Sequence, residues 1–300
     1  MGDLHQALPI GWALLSSLMF ALTFLMVRIG VKTASSTTAL WVTLSINAVF
    51  LWGWSLMRDG AHFQDWWQWR YFFLSGLFAP LLGRLFQFLG MERLGANITT
   101  PLTLTHPLVS VALALIFLDE HLTALGLLGV LLVVAGSLLV GSQSGQAGAR
   151  HLARLPRSYL LFPLVASLSY GVSITLRKIG IDLGTDAITA AAVTCTSSWF
   201  FASLYLLLTK GFKRIRCDRR EFVYFLLAGV FSALGPVLLY AALQREPLVV
   251  IAPLASTTPL FVLLMSYLFI RTDEIFTRPV IAGTGATVLG VMLVTTHGLA

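Results

Sequence analysis

Apolar runs of roughly twenty residues, each closed by a charge or a turn residue, recur along the whole chain at about 8–30, 37–57, 70–90, 97–118, 122–141, 159–180, 187–209, 221–243, 249–270 and 277–297. A helix needs about 20 apolar residues to cross the hydrocarbon of a bilayer. The pattern therefore predicts an all-α integral membrane protein with ten transmembrane helices. Most links are a few residues long; the longer ones are Arg58 to Arg70, Gly141 to Ser158 and Lys210 to Arg220. The middle one contains Gly-Ser-Gln-Ser-Gly-Gln-Ala-Gly-Ala and reads as a flexible linker. It divides the chain into a five-helix repeat at 1–141, a linker at 142–158 and a second five-helix repeat at 159–300.

The halves resemble each other in register. Leu18 to Gly30 aligns with Leu168 to Gly180, placing Arg28 on Lys178, and Phe73 to Phe78 aligns with Leu226 to Phe231. Asp119-Glu120 falls on Asp273-Glu274 and Gly136 on Gly290. The clearest match is Pro101-Leu-Thr-Leu-Thr-His-Pro107 with Pro253-Leu-Ala-Ser-Thr-Thr-Pro259. Five spans is an odd number, so the second unit enters the membrane from the opposite side, giving two inverted repeats. Such pairs place a substrate site near the midplane at the repeat interface and alternate access by rocking one unit against the other.

In each proline segment, the prolines remove a backbone donor and clash with the carbonyl four residues earlier. Pro101, Pro107, Pro253 and Pro259 are thus kink and gating candidates, freeing the carbonyls of Asn97, Thr103, Val249 and Ala255. An unsatisfied carbonyl in hydrocarbon costs several kcal/mol, so these kinks should face side chains, water or a cavity. Thr103, Thr105 and His106 are expected to face Ala255, Thr257 and Thr258 across one cavity.

Asp119-Glu120-His121-Leu122-Thr123 and Asp273-Glu274-Ile275-Phe276-Thr277 resemble the Glu-x-Leu-Thr signature of the drug/metabolite transporter superfamily, EamA type. Leu168-Ser169-Tyr170-Gly171 with Arg177-Lys178 resembles that family's first-span pattern, from which the first repeat departs at Phe20-Ala21. The resemblance covers nearly the whole chain and implies two five-span repeats and transport of small metabolites, often export of amino acids and related compounds; sugar-phosphate relatives handle anions. It names no substrate.

Composition narrows the function classes. Hydrophobic residues make up 57% of the 300 and charged ones 11%, against about 25% in soluble domains, so the function has to live within the bilayer. The net charge of +7 resides in short loops, where membrane topology explains it without nucleic acid. Cys195 and Cys217 form no CxxC or ligand cluster, and no metal or cofactor is called for. The chain contains no P-loop, HExxH, GxSxG or paired catalytic carboxylates. A membrane enzyme acting on lipids would need a nucleophile or metal cluster that the sequence lacks. The first apolar run reads as a retained span, since Arg28 and not a cleavage site follows it.

Arg84 lies deep in the third run. Centring an arginine in a bilayer costs about 2.5–3.5 kcal/mol on insertion scales, so it should meet a wet cavity or a partner. With Gln87 on the same helical face it is a candidate clamp for a carboxylate or phosphate, for which a guanidinium fork suits better than an ammonium. The competing reading has Arg84 snorkel or brace freed carbonyls. His106 is a candidate for substrate or proton binding, or else donates to the carbonyl freed by Pro107. Asn47, Thr103, Thr105, Ser232, Thr257 and Thr258 are polar at membrane depth, and Tyr170, Trp199, Tyr240 and Tyr267 have the mixed character of cavity-lining aromatics. Asn47, Thr103, Thr105, Thr257, Thr258, Tyr170 and Tyr240 join Arg84, Gln87 and His106 as the candidate substrate site, most of them with helix-to-helix bonding or the interface belt as the plainer role. No Asp or Glu sits mid-span, which argues against a carboxylate proton relay. Gly126, Gly129, Gly136, Gly283, Gly285 and Gly290 mark the fifth and tenth spans as a scaffold or homodimer face. Because Arg84 and His106 both belong to the first repeat, the polar end of the substrate is expected against the N-terminal half.

Loops after odd-numbered spans hold most of the lysine and arginine, with Lys210, Lys213, Arg214, Arg216, Arg219 and Arg220 in one. The positive-inside rule puts loop 210–220 in the cytoplasm and both termini outside, whereas the family resemblance implies cytoplasmic termini. The expected protein is a secondary carrier of a small anionic or zwitterionic metabolite, such as an amino acid, in a bacterial-type inner membrane. A translocase of lipids or lipid-linked sugars in the same fold is the alternative.

Overall fold

A computed structural model describes residues 2–30, 34–59, 67–94, 99, 102–141, 156–269 and 278–297. The linker from 142 to 155, the second copy of the acidic signature (273–277), Pro101, Asn97 and the side chain of Tyr267 lie outside the described residues. The helices are α1 (Gly2–Gly30), α2 (Ser36–Asp59), α3 (Trp69–Gly76), α4 (Arg84–Leu94), α5 (His106–Phe117), α6 (Ala124–Gly141), α7 (Leu161–Asp182), α8 (Ala187–Leu208), α9 (Arg219–Leu243), α10 (Leu248–Ala255), α11 (Thr258–Phe269) and α12 (Arg278–His297). A π-helical stretch, Leu77–Gly83, joins α3 directly to α4. There is no strand among the described residues.

Among the described residues, five helices are long and apolar enough to cross a membrane: Leu8–Val27, Thr37–Arg58, Ser158–Asp182, Ala187–Leu208 and Arg219–Leu243. Shorter apolar helices cover His106–Phe117, Ala124–Leu139, Leu248–Val262 and Ile281–His297. Their outward faces are apolar, with Val49 76%, Ile116 67%, Phe117 68% and Leu208 76% exposed. Water would penalise such a surface, whereas lipid accepts it.

Carboxylates fix several helix starts. Asp186 caps α8 by accepting from the amides of Ile188 (2.9 Å) and Thr189 (3.0 Å). Glu221 closes a capping box with Asp218 and also accepts the Ala34 amide at 3.1 Å, tying the chain before α2 to α9. Glu120, in the acidic signature, accepts the Leu248 and Val249 amides at 2.7 and 2.8 Å. It thereby caps α10 of the other half with a charge suited to a helix N-terminus. Glu120→Ala strands two amides and should remove about 1–3 kcal/mol, read as a drop of several degrees in thermal unfolding of the purified protein. An unchanged Tm would show that this cap contributes nothing.

The halves interlock through antiparallel pairs. Along α2 and α8, Trp41 Nε1 donates to Ser203 (2.9 Å), Trp199 Nε1 to Ser45 (2.9 Å) and Trp52 Nε1 to Thr196 (2.8 Å). α1 runs against α9, where the Ser16 hydroxyl donates to the Gly235 carbonyl at 2.7 Å. α7 runs against α3, the π-helical stretch and α4. The last two seams are copies of one another. Gly30 packs on the Phe225 ring as Gly180 packs on that of Phe72, and Gly235 lies against Phe20 as Gly83 lies against Tyr170. α6 and α12 form a further pair, in which Gly129 and Gly290 lie against each other's carbonyls.

Candidate functional site

Both proline segments break their helices outright, at equivalent places. Turns at Leu104–Thr105 and Ser256–Thr257 precede α5 and α11, whose second residues are Pro107 and Pro259. The carbonyls facing these turns are satisfied within the protein. Nδ1 of His106 lies 3.2 Å from the Thr103 carbonyl; a carbonyl only accepts, so Nδ1 carries the proton there. The Ala255 carbonyl accepts from Ser17 of α1 and from Thr258, each at 3.1 Å. Thr105 and Thr257 both turn back to the carbonyl three residues earlier, Leu102 (2.6 Å) and Leu254 (2.8 Å). Their further support matches too, since Ser167 of α7 meets Thr105 at 3.0 Å and Ser17 donates to the Leu254 carbonyl at 3.2 Å. Thr103 bonds the Thr99 carbonyl at 2.9 Å. All four threonines thus have their hydroxyls engaged on helix carbonyls.

Two other candidates are likewise engaged in packing. Tyr240 is fully buried, its hydroxyl donating to Thr194 at 3.1 Å and its ring beside Phe72. Asn47 is 2% exposed. The amide orientation that satisfies its neighbours has the oxygen accepting from Ser232 at 2.8 Å, with the nitrogen donating to the carbonyls of Thr43 (3.0 Å) and Gly229.

The remaining candidates come together on the α4–α7 seam. The π-helical stretch Leu77–Gly83 takes an extra residue into its turn, which rotates α4 about its axis relative to a regular continuation of α3. Arg84 is the first residue beyond it. Tyr170, in the middle of α7, donates its hydroxyl to Gln87 Oε1 at 3.0 Å. The Arg84 charge acts on the same hydroxyl, and the His106 ring lies 5.8 Å from that of Tyr170. Glycines make this approach possible. A Cβ on Gly83 would sit 2.9 Å from the Tyr170 ring, and one on Gly171 would lie 2.5 Å from Val109 and 3.2 Å from the His106 carbonyl. Arg84, Gln87, His106 and Tyr170 all keep partial solvent exposure although they lie within helical stretches.

Arg177, two helical turns after Tyr170 on α7, extends this polar line. Its Nε donates to Ser75 at 2.7 Å, Ser75 is bridged to Ser173 at 2.8 Å, and its guanidinium lies 5.7 Å over the Tyr240 ring. The charges of both Arg84 and Arg177 act on the Cys195 thiol of α8. Among the described residues, neither guanidinium has an ion pair; the basic side chains that do are Arg58 with Asp186 and Lys178 with Asp182. No group of three His, Cys, Asp or Glu among the described residues is placed to hold a metal.

Ser75, Ser173, Cys195 and Arg177 were not among the sequence-level site candidates. The signal for Arg177 lies in comparing the repeats. Arg84, Gln87, Tyr170 and Arg177 align with Pro236, Leu239, Phe20 and Val27, so at these four positions one of two equivalent seams is polar and the other apolar. Tyr170 and Arg177 come from the second half, so the polar residues of this seam are drawn from both halves.

No curated protein matches the chain in sequence. Among 28 matching solved chains, one crystal structure superimposes with a TM-score of 0.80 at 14% identity, over 96% of this chain and 98% of its own; this is a likeness of fold. The EamA-like transporter family model matches residues 7–142 and 157–296, one copy on each half. The chain is therefore a multi-pass membrane protein of the EamA-like transporter family, within the drug/metabolite transporter superfamily.

Proposed function

We propose that the protein is a ten-span secondary carrier that moves a small anionic or zwitterionic metabolite by alternating access, with both five-helix units contributing to one site. The observation that carries this reading is Arg84, a partly accessible cation inside a helical stretch, beside Tyr170, Gln87 and His106 and without a carboxylate partner among the described residues. A desolvated guanidinium without a counter-charge costs free energy that an incoming anion returns. The threonines of the two breaks serve as hinge fastenings in this scheme. Their carbonyl bonds are short-range and duplicated between the halves, so each break can flex without stranding a carbonyl. The basic loop 210–220 faces the cytoplasm by its charge.

Counterflow in liposomes tests the reading. Vesicles containing the purified protein and preloaded with one unlabelled organic anion or amino acid should accelerate entry of the same labelled compound at least about tenfold over protein-free vesicles. Acceleration by organic cations only, or by no charged metabolite at all, would overturn it.

A further inference from the structure

We infer that the preferred substrate is a dianion with two separated charges, such as a linear dicarboxylate, held at one end by Arg84 and at the other by Arg177. This rests on the carrier reading above and narrows its substrate class.

The two cations are set along one face of α7 like a ruler. Arg84 directly follows Gly83, which packs on the Tyr170 ring of α7, and Arg177 lies seven residues beyond Tyr170, a rise of about 10 Å along the helix; the charges of both act on the Cys195 thiol. A single small carboxylate cannot engage both ends of that line, whereas a dicarboxylate of four to six carbons can. Arg177 is also built as a holder. Ser75 takes its Nε, Ser173 fixes Ser75, and the Tyr240 ring supports its plane. The remaining donors of its fork have no partner among the described residues, and a planar fork oriented in advance loses little entropy on closing around a carboxylate. A zwitterion fits less well. Its ammonium group would need a carboxylate, and the site residues offer two guanidinium groups, an imidazole, an amide and hydroxyls but no Asp or Glu. Leaving an ammonium unpaired beside two cations is costly in a low-dielectric interior. At the equivalent positions the other seam carries Val27, Pro236 and Leu239 and so has no matching pair of cations there.

The test compares succinate, glutarate and adipate with their half-amides and with alanine. In wild-type counterflow, at least one dicarboxylate should show a KM at least about tenfold below that of its half-amide and of alanine, the scale expected for one charge pair made or lost. Arg177→Gln should collapse that ratio towards one, and Arg177→Lys should restore part of it. Thermal stabilisation of the wild-type protein in detergent should follow the same order and does not depend on how either variant folds. A wild-type protein that takes alanine or the half-amide as well as any dicarboxylate overturns the dianion while leaving the carrier reading intact. Failure of every one of these compounds to exchange would overturn the dianion, and the carrier reading itself falls only if the wider set of organic anions and amino acids fails as well. A ratio unchanged in Arg177→Gln would assign Arg177 to packing alone.

Discussion

Gly290→Leu is expected to yield almost no monodisperse protein on size exclusion in detergent, whereas Gly285→Leu should give the wild-type peak. A Cβ at Gly290 would lie 2.6 Å from both the Gly129 carbonyl oxygen and the Val133 amide nitrogen. These are backbone atoms and cannot swing aside. Gly129 meets the same limit from the other side, 2.8 Å from the Gly290 carbonyl, and Gly136 runs against Thr287 and Gly283. The whole α6–α12 seam therefore depends on the absence of side chains. In lipid no hydrophobic force draws helices together, so this closeness is itself the source of attraction, through dispersion and polar backbone contact. Holding the helices apart by a leucine forfeits the seam along its length, a loss comparable with the roughly 5–15 kcal/mol total stability of an ordinary domain. Gly285 lies on the opposite side of α12, where an added Cβ meets nothing within 4 Å. Equal peaks and equal Tm values for the two variants would show that the seam tolerates a side chain and that the packing argument is wrong.

The same contrast shows how far a sequence can be read. Helix limits were mostly legible because each apolar run ends at a charge or turn: α2, α6, α7, α8, α9 and α12 begin and end within a few residues of the expected spans, whereas the run at 249–270 is split into α10 and α11 and α5 begins only at His106. The carbonyls freed at Thr103 and Ala255 were legible because a proline always acts on the carbonyl four residues back. What satisfies those carbonyls was half legible. His106 and Thr258 are local, but Ser17 arrives from α1 across more than two hundred residues of sequence. The polar seam was less legible still. Arg84 announced itself by its depth, but nothing along the chain says that α7 lies antiparallel along the π-helical stretch and α4. Without that contact Tyr170 reads as one aromatic among many and Arg177 as a basic residue near a helix end. The π-helical stretch was also hidden, because Pro80 alone is compatible with a simple kink. Once the repeats are superimposed, the replacement of Phe20 by Tyr170, Val27 by Arg177 and Pro236 by Arg84 becomes informative. Two seams with the same glycine contacts but opposite polarity cannot both be mere packing.

Arg84→Ala is expected to lower counterflow of the transported anion by about a hundredfold or more at concentrations below KM, with Arg84→Lys intermediate and neither variant less thermostable than the wild-type protein. The size follows from the roughly 2–5 kcal/mol associated with truncating one member of a desolvated charge pair, since about 2.8 kcal/mol is a factor of one hundred. Lysine retains the charge but loses the planar fork that engages both carboxylate oxygens at once. The stability arm separates binding from bracing. A guanidinium that held the fold together through ion pairing would lower Tm when removed. Arg84 has no ion pair among the described residues and lies where a cation is costly, so its removal should leave Tm unchanged or raise it. The Tyr170 hydroxyl keeps Gln87 as its acceptor in the variant, so no new buried group is stranded. Undiminished counterflow in Arg84→Ala would remove the clamp from the mechanism. Lost counterflow accompanied by a Tm lowered by several degrees would make Arg84 a brace for the α4–α7 seam and leave the anion to be bound elsewhere.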